Sequence, residues 1–258
     1  MQRGMPPRIL CAVFPGVGVV SMARWGWWAL NALQLVVMVL VTVAGFPVAL
    51  LVALVAGPGP ALRMASWYWA PILLGGARAK LIVEGAEGVD WSRPQVLVSN
   101  HTSMIDICAL FRAVPVPLRF LLKQELSVVP VIGWYAGAMG MVFIERGNAR
   151  AARRRLAHAV DTLHGGATLV AFPEGTRSKD GSVGTFKGGA FQLAIEAGVP
   201  VVPVHISGSG KVLPPSGFSV RPGTIRLRFG APIETSGLQA QDRVALAQRA
   251  REAVLGLT

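Results

Sequence analysis

Hydrophobicity divides the chain into two parts of different texture. From Trp25 to Leu62 there is no charged residue, a run of 38 positions. As one helix it would extend about 57 Å, nearly twice the hydrocarbon thickness of a bilayer. Gly45-Phe46-Pro47 stands near its middle, and glycine and proline together predict a break there. The pattern therefore predicts two apolar helices folded as a hairpin, with a single span over Trp27–Phe46 as the alternative. Arg3, Arg8 and Arg24 precede the block, and Arg63, Arg78 and Lys80 follow it. The positive-inside tendency places both ends on the cytoplasmic side, as a hairpin or re-entrant loop allows. Trp25, Trp27 and Trp28 at one edge and Trp67, Tyr68 and Trp69 beyond the other suit the headgroup level. Residues 9–22 form a shorter apolar run broken by Pro15-Gly16, in the style of a signal peptide. Cleavage is not expected, because a longer apolar block follows at once and no disulfide framework comes after it.

Beyond residue 79 short β-rich runs alternate with helical patterns. The expected strands are Lys80–Val83, Gln95–Ser99, Arg119–Leu122, Met141–Ile144, Thr168–Phe172, Val201–Ile206 and Thr224–Phe229. The expected helices are Ser103–Arg112, Ile132–Ala138, Ala149–Leu163, Gly188–Ala197 and Gln239–Leu255. Strands that are continuously apolar have both faces covered. The predicted fold class is α/β: a mostly parallel or mixed central sheet of about seven strands flanked by helices, preceded by the apolar helical hairpin. The expected division is a membrane-associated region over residues 1–78 and an α/β domain over residues 79–258.

Composition narrows the partners. Hydrophobic residues make up 52% and charged residues 15%, which excludes disorder and points to membrane contact. A net charge of +12 suits an anionic membrane surface and phosphorylated ligands. No basic stretch is interleaved with aromatics and no nucleic-acid motif is present, so nucleic acid is not an expected partner. Cys11 and Cys108 form no framework, and no Cys/His cluster has metal spacing. His158, His164 and His205 are expected to be structural.

Two loops carry candidate chemistry. Asn100-His101-Thr102-Ser103-Met104-Ile105-Asp106 sets a histidine and a carboxylate five residues apart after an apolar run. Five helical residues turn through about 140°, so the pair meets only if His101 lies on the loop and Asp106 in the first helical turn. Ser103 and Asp106 also read as a capping box, which accounts for Asp106 without catalysis. Both accounts stand on the residues alone. The second loop, Pro173-Glu174-Gly175-Thr176-Arg177-Ser178, follows a strand and precedes Phe186-Lys187-Gly188-Gly189. Gly175 permits close backbone approach, Thr176, Arg177 and Ser178 supply donors, and Lys187 precedes a helix N-terminus, so the loop reads as a phosphate cradle. Lys123 and Arg146, near the ends of two other strands, are within reach of the same mouth. Arg150, Arg153, Arg154 and Arg155 read as a basic helix surface. Gly208-Ser209-Gly210-Lys211 is not a P-loop, since His205 and Val212 occupy the positions that need glycine and Ser/Thr.

NHTSMID, the GMVFIER segment ending in Arg146, FPEGTRS at 172–178 and GVPVVPV at 198–204 follow the order of the four motif blocks of glycerolipid acyltransferases. Over roughly residues 80–230 the chain resembles the lysophosphatidate acyltransferase (PlsC-type) family. The resemblance implies that His101 is the general base and Asp106 its orienter. It also implies that Arg146, Glu174, Gly175 and Arg177 bind substrate, joined by Thr176 of the same block, and that Lys123 does so through a Lys-x-Glu-Leu string. The implied reaction moves a fatty acyl group from acyl-CoA or acyl carrier protein to the free hydroxyl of 1-acyl-sn-glycerol 3-phosphate, with no metal or bound organic cofactor. Alternatives are the same chemistry on a lyso-ornithine lipid, another lysophospholipid or glycerol 3-phosphate, or a non-catalytic protein that binds anionic membrane. The resemblance and the apolar block together imply an inner-membrane protein whose catalytic domain faces the cytoplasm.

Overall fold

The computed structural model describes residues 17–144 and 149–258, with backbone alone for residues 17–25 and 149–153. Helix α1 runs unbroken from Val17 to Ala56 and carries Pro47 in its interior. The break expected at Gly45-Phe46-Pro47 is therefore absent. The chain reverses instead at Gly57, whose φ of 83° and ψ of 171° lie in a region essentially reserved for glycine. Pro58 follows at the first position of helix α2 (Pro58–Met64), where its missing N–H costs nothing. A single π-helical turn, Ala65–Trp69, leads into helix α3 (Ala70–Gly76). This limb runs back along α1: Tyr68 packs on Gly45, Trp69 Nε1 donates to Thr42 Oγ1 at 3.0 Å, and Gln34 Nε2 donates to the Gly76 carbonyl. A helical hairpin is thus present, with its turn about ten residues later than expected. The first half of the run at residues 9–22 lies outside the described residues, and residues 17–22 belong to α1.

Gly26–Ala56 is the one described helix long and apolar enough to cross a membrane, and little of it is buried. Its outward face carries Leu33, Leu40, Val43 and Leu54. The two aromatic clusters divide. Trp28 and Trp67 are exposed, as residues at a headgroup boundary would be, whereas Trp69 turns inward and meets Phe111 edge-on. The side chain of Trp25 lies outside the described residues.

The strands are β1 (Ala79–Glu84), β2 (Gln95–Ser99), β3 (Leu118–Lys123), β4 (Val142–Ile144), β5 (Thr168–Ala171), β6 (Val201–Ser207) and β7 (Gly223–Phe229). They form one seven-stranded sheet in the order β1-β7-β6-β2-β5-β3-β4. All neighbours are parallel except β6 and β7, so the sheet is mixed. All five residues of β2 and all four of β5 are buried, because helices cover both faces. On one face lie α4 (Ile105–Ala113) and the hairpin, with Ala61, Leu62, Ala70, Leu74, Leu110 and Ile225 in one core. The opposite core contains residues of α6 (Ala149–His164), α7 (Gly189–Ala197) and α9 (Arg243–Gly256). The expected boundary at residue 78 falls in the turn between α3 and β1. The regions on its two sides share a core.

Helix α4 leaves β2 towards one face and α7 leaves adjacent β5 towards the other. The crevice at the carboxyl ends of β2 and β5 is therefore a topological switch point, where open α/β sheets bind ligands. The register pairs Val98 with Ala171, so the loops carrying the two sequence motifs start side by side. Helix α5 (Ile132–Ala138) joins β3 to β4 and packs on α1, Tyr135 lying 5.6 Å from Phe46.

Candidate active site

His101 stands on the loop after β2 and Asp106 in the first turn of α4, the arrangement in which the pair can meet. Nδ1 of His101 lies 2.8 Å from Oδ2 of Asp106. The same oxygen accepts the amides of Thr102 at 2.9 Å and Ser103 at 2.8 Å, and Asp106 is fully buried. An oxygen already surrounded by two N–H donors requires a third donor from the imidazole. Nδ1 therefore carries the proton, and Nε2 is left as the basic nitrogen. Half of the expected capping box is made, since the acid reaches back to the Ser103 amide. The other half is replaced: the buried Ser103 hydroxyl donates to the Leu213 carbonyl at 2.6 Å and is engaged structurally.

The rest of the loop is held from both sides. Asn100 closes two 2.8 Å bonds with the backbone of Ile206 on β6, one as donor and one as acceptor. The His101 carbonyl accepts the Ser178 amide at 2.8 Å, and its ring stacks on Phe172 with centroids 3.9 Å apart. The His101 amide donates to Oε1 of Glu174 at 3.0 Å, while Oε2 of Glu174 accepts the Gly184 amide at 3.0 Å. Glu174, expected among the substrate-binding residues, is thus buried and turned inward, with each oxygen engaged by backbone. Burial pushes its carboxyl above the ordinary value, opposed by the hydrogen bonds from Gly184 and His101.

Gly175 has φ 76° and donates its amide to the Phe172 carbonyl, closing a tight turn that a residue with a side chain would strain. Thr176 and Arg177 follow on the exposed crest of the loop, between Gly175 and the anchored amide of Ser178. Lys187 donates its amide to the Pro173 carbonyl, which ties down the other end. Lys123 ends β3, exposed, one strand beyond β5 along the same sheet edge. Arg146 lies outside the described residues, as do the side chains of Arg150 and Arg153. The structure therefore brings His101, Asp106, Glu174 and Gly175 together, with Thr176 and Arg177 on the rim.

Several contributors carry no sequence signal of their own. Phe172 and Asn100 lie inside the motifs, but their tasks depend on strand pairing; Gly184 and its contact with Glu174 are purely tertiary. Burial pushes the Cys108 thiol up to about 12, with Asp106 adding to the effect, so it is no nucleophile at neutral pH. Among the described residues no group of three or more His, Cys, Asp or Glu is placed to hold a metal. Two apolar cavities flank α4 and share Trp69 and Ile107 as walls. One of about 430 Å³ lies towards Leu30, Leu73 and Phe218, and one of about 280 Å³ towards Phe46, Phe120 and Tyr135. The arrangement can accept a proton at Nε2 and stabilise the resulting imidazolium through Asp106. The cavities can receive long apolar groups along α4, the nearer one reaching Met104 and Ile105 of the His101 loop and helix start.

Comparison with known proteins agrees with this description. The Acyltransferase family model matches residues 80–207. The chloroplast 1-acyl-sn-glycerol-3-phosphate acyltransferase LPAT1 of Arabidopsis thaliana is 39% identical over 159 residues, 61% of this chain and 44% of that protein. The chain thus spans less than half the length of this plant relative. Two Pseudomonas aeruginosa proteins match over more of their length. A 1-acyl-sn-glycerol-3-phosphate acyltransferase is 33% identical over 70% of this chain and 69% of its own. A lyso-ornithine lipid O-acyltransferase is 37% identical over 63% and 67%. The crystal structure of the 1-acyl-sn-glycerophosphate acyltransferase PlsC of Thermotoga maritima superposes with a TM-score of 0.75 at 26% identity, covering 91% of this chain and 95% of that one. The match to the Acyltransferase model and the structural likeness give the class, the acyltransferase family. Within it, the chain belongs to the PlsC-type 1-acyl-sn-glycerol-3-phosphate acyltransferase family.

Proposed function

We propose that the protein transfers a fatty acyl group from an acyl thioester to the free hydroxyl of 1-acyl-sn-glycerol 3-phosphate, giving phosphatidate. The observation that carries this reading is the bond from His101 Nδ1 to the buried Asp106 carboxylate, which leaves Nε2 as a base. Nε2 takes the hydroxyl proton as the oxygen attacks the thioester carbonyl. The tetrahedral intermediate then collapses and the C–S bond breaks; the departing thiolate takes the proton from the imidazolium and leaves as the thiol. No bond to the enzyme forms, so no acyl-enzyme accumulates, and the chemistry calls for no metal or bound organic group. Thr176 and Arg177 on the loop crest, with Lys123 and Arg146, hold the acceptor's phosphate and orient its hydroxyl. The donor is acyl-CoA or an acyl carrier protein thioester.

In this reading residues 1–78 anchor the protein and residues 79–258 perform the reaction at the inner-membrane surface. The lipid-facing side of α1 supports the anchor. It is extended by exposed Val128, Val131, Ile132 and Trp134 around α5. The catalytic domain faces the cytoplasm, where soluble acyl thioesters are made, so a reporter fused after Thr258 is expected to be cytoplasmic; an exported reporter would overturn the orientation.

A second acceptor deserves a place because of the 37% identical lyso-ornithine lipid relative. The purified protein, supplied with one acyl-CoA and a panel of lysolipids in mixed vesicles, distinguishes the two by product. Phosphatidate from lysophosphatidate is the expected main product. Preferred acylation of lyso-ornithine lipid would reject the phosphate acceptor, and absence of thiol release with every acceptor would reject acyl transfer itself.

A further inference from the structure

The Glu174 carboxylate that accepts the His101 amide on Oε1 is steadied on Oε2 by the Gly184 amide, ten residues further along the same β5–α7 loop. Gly184 has no side chain through which to be anchored. A Cβ there would lie 2.9 Å from Glu174 Oε2, so its position is set tightly against the carboxylate. The anchor comes from α9. Arg251 Nε donates to the Gly184 carbonyl at 2.7 Å and Nη2 donates to the Val183 carbonyl at 2.8 Å. Ala250 and Val254 of the same helix are fully buried in the core that also holds Val183, so the guanidinium is carried on a fixed support. Two donors in a planar fork match two successive carbonyls, a geometry a lysine cannot reproduce. α9 lies beyond residue 207, outside the family match and outside all four motif blocks.

We propose that Arg251 is a positioning residue for the reaction: its fork fixes the Val183–Gly184 backbone, Gly184 fixes Glu174, and Glu174 fixes the backbone of His101. The chain of contacts runs from α9 to the catalytic base without touching substrate. It predicts that Arg251 governs the placement of His101 and not the binding of either ligand. The effect on turnover rests on the acyl-transfer reading above; the effect on the His101 backbone does not.

Two measurements test it. The first is hydrogen exchange at the His101 amide, which needs no substrate. Arg251→Ala is expected to speed exchange there at least tenfold, while amides of β2 and β6 keep their protection. Unchanged exchange at His101 would overturn the relay. The second is turnover. Arg251→Ala is expected to lower kcat by about 10- to 100-fold, the size of a small misplacement of a catalytic group, with KM for acceptor and donor unchanged. Arg251→Lys is expected to recover only a small part. In a Glu174→Gln background the Arg251 change should cost less than about twofold more, because the link it acts through is already cut. Full multiplication of the two losses, a KM effect with kcat intact, or wild-type turnover in Arg251→Lys would each reject the proposal. If Arg251→Ala does not fold, Gly184→Ala strains the same link with α9 intact and is expected to give the same exchange and kcat effects; normal values there would reject it too. A wild-type protein inactive on every acceptor would sink the functional reading, leaving the exchange experiment to decide the relay.

Discussion

Asp106 places one carboxylate oxygen against three donors, the imidazole of His101 and the amides of Thr102 and Ser103. One side chain therefore both starts α4 and selects the tautomer of the base, so capping and catalysis are not competing explanations. The two tasks separate by substitution. His101→Ala removes the proton acceptor and is expected to lower turnover by about 10²–10⁴-fold while the protein unfolds near its normal temperature. Asp106→Asn keeps an acceptor oxygen for the amides but loses the charge that stabilises the imidazolium. It is expected to lose most activity and also about 1–3 kcal/mol of stability, the range for a charged hydrogen-bond acceptor. Thermal unfolding measured beside turnover checks both. An Asp106→Asn enzyme that is less stable but turns over normally would reduce Asp106 to a helix cap.

At the level of elements, the seven strands emerged within one or two residues of the expected runs. In β2 and β5 every residue is buried, where a polar side chain would need a partner, whereas β7 alternates buried Ile225, Leu227 and Phe229 with more exposed positions. The hairpin turn was misplaced because Gly45 and Pro47, with Phe46 between them, are both accommodated inside the helix, while the glycine-only conformation that reverses the chain is at Gly57. Pro47 stays inside α1, where the helix packs against α2, α5 and the π-turn; Gly57-Pro58 reverses the chain instead. Gly57→Ala is expected to cost about 1–3 kcal/mol by forcing a side chain into a glycine-only conformation. Pro47→Ala is expected to leave the hairpin intact and to stabilise α1, by at most about 3 kcal/mol. Denaturation of both variants in detergent micelles gives the comparison, and a destabilised Pro47→Ala would mean the proline is a required kink. The site divides in the same way. His101, Asp106 and Gly175 were legible because their local turns depend on neighbours a few residues away. The inward turn of Glu174 was not, since it needs Gly184 ten residues on and β2 at its side. Arg251 was silent for the stronger reason that nothing near it in the chain hints at a loop 67 residues earlier.

On the scale of the whole molecule, the hairpin is more than a tether. Leu62 and Leu74 are almost wholly buried, and Ala61 and Ala70 entirely so, in the core that also contains Leu110, Leu118 and Ile225. Each leucine contributes about 1.5–3 kcal/mol on burial, and removing the limb also uncovers its partners on α4 and β7. Against a domain stability of about 5–15 kcal/mol, that loss is not tolerable. A fragment of residues 79–258 is therefore expected to aggregate or unfold without cooperativity, although its boundary coincides with the change of texture in the sequence. Residues 58–258 keep α2, the π-turn and α3 and lose α1, which is mostly exposed although one side of it packs on α2, α5 and the π-turn. That fragment is expected to unfold cooperatively in detergent but to sediment much less with vesicles than the full chain. Circular dichroism melts and vesicle co-sedimentation of the two fragments separate the roles of the limbs. A well-folded 79–258 fragment would show that the core on the α4 side closes without the hairpin, and vesicle binding by 58–258 equal to that of the full chain would move the anchor from α1 to the catalytic domain and α5.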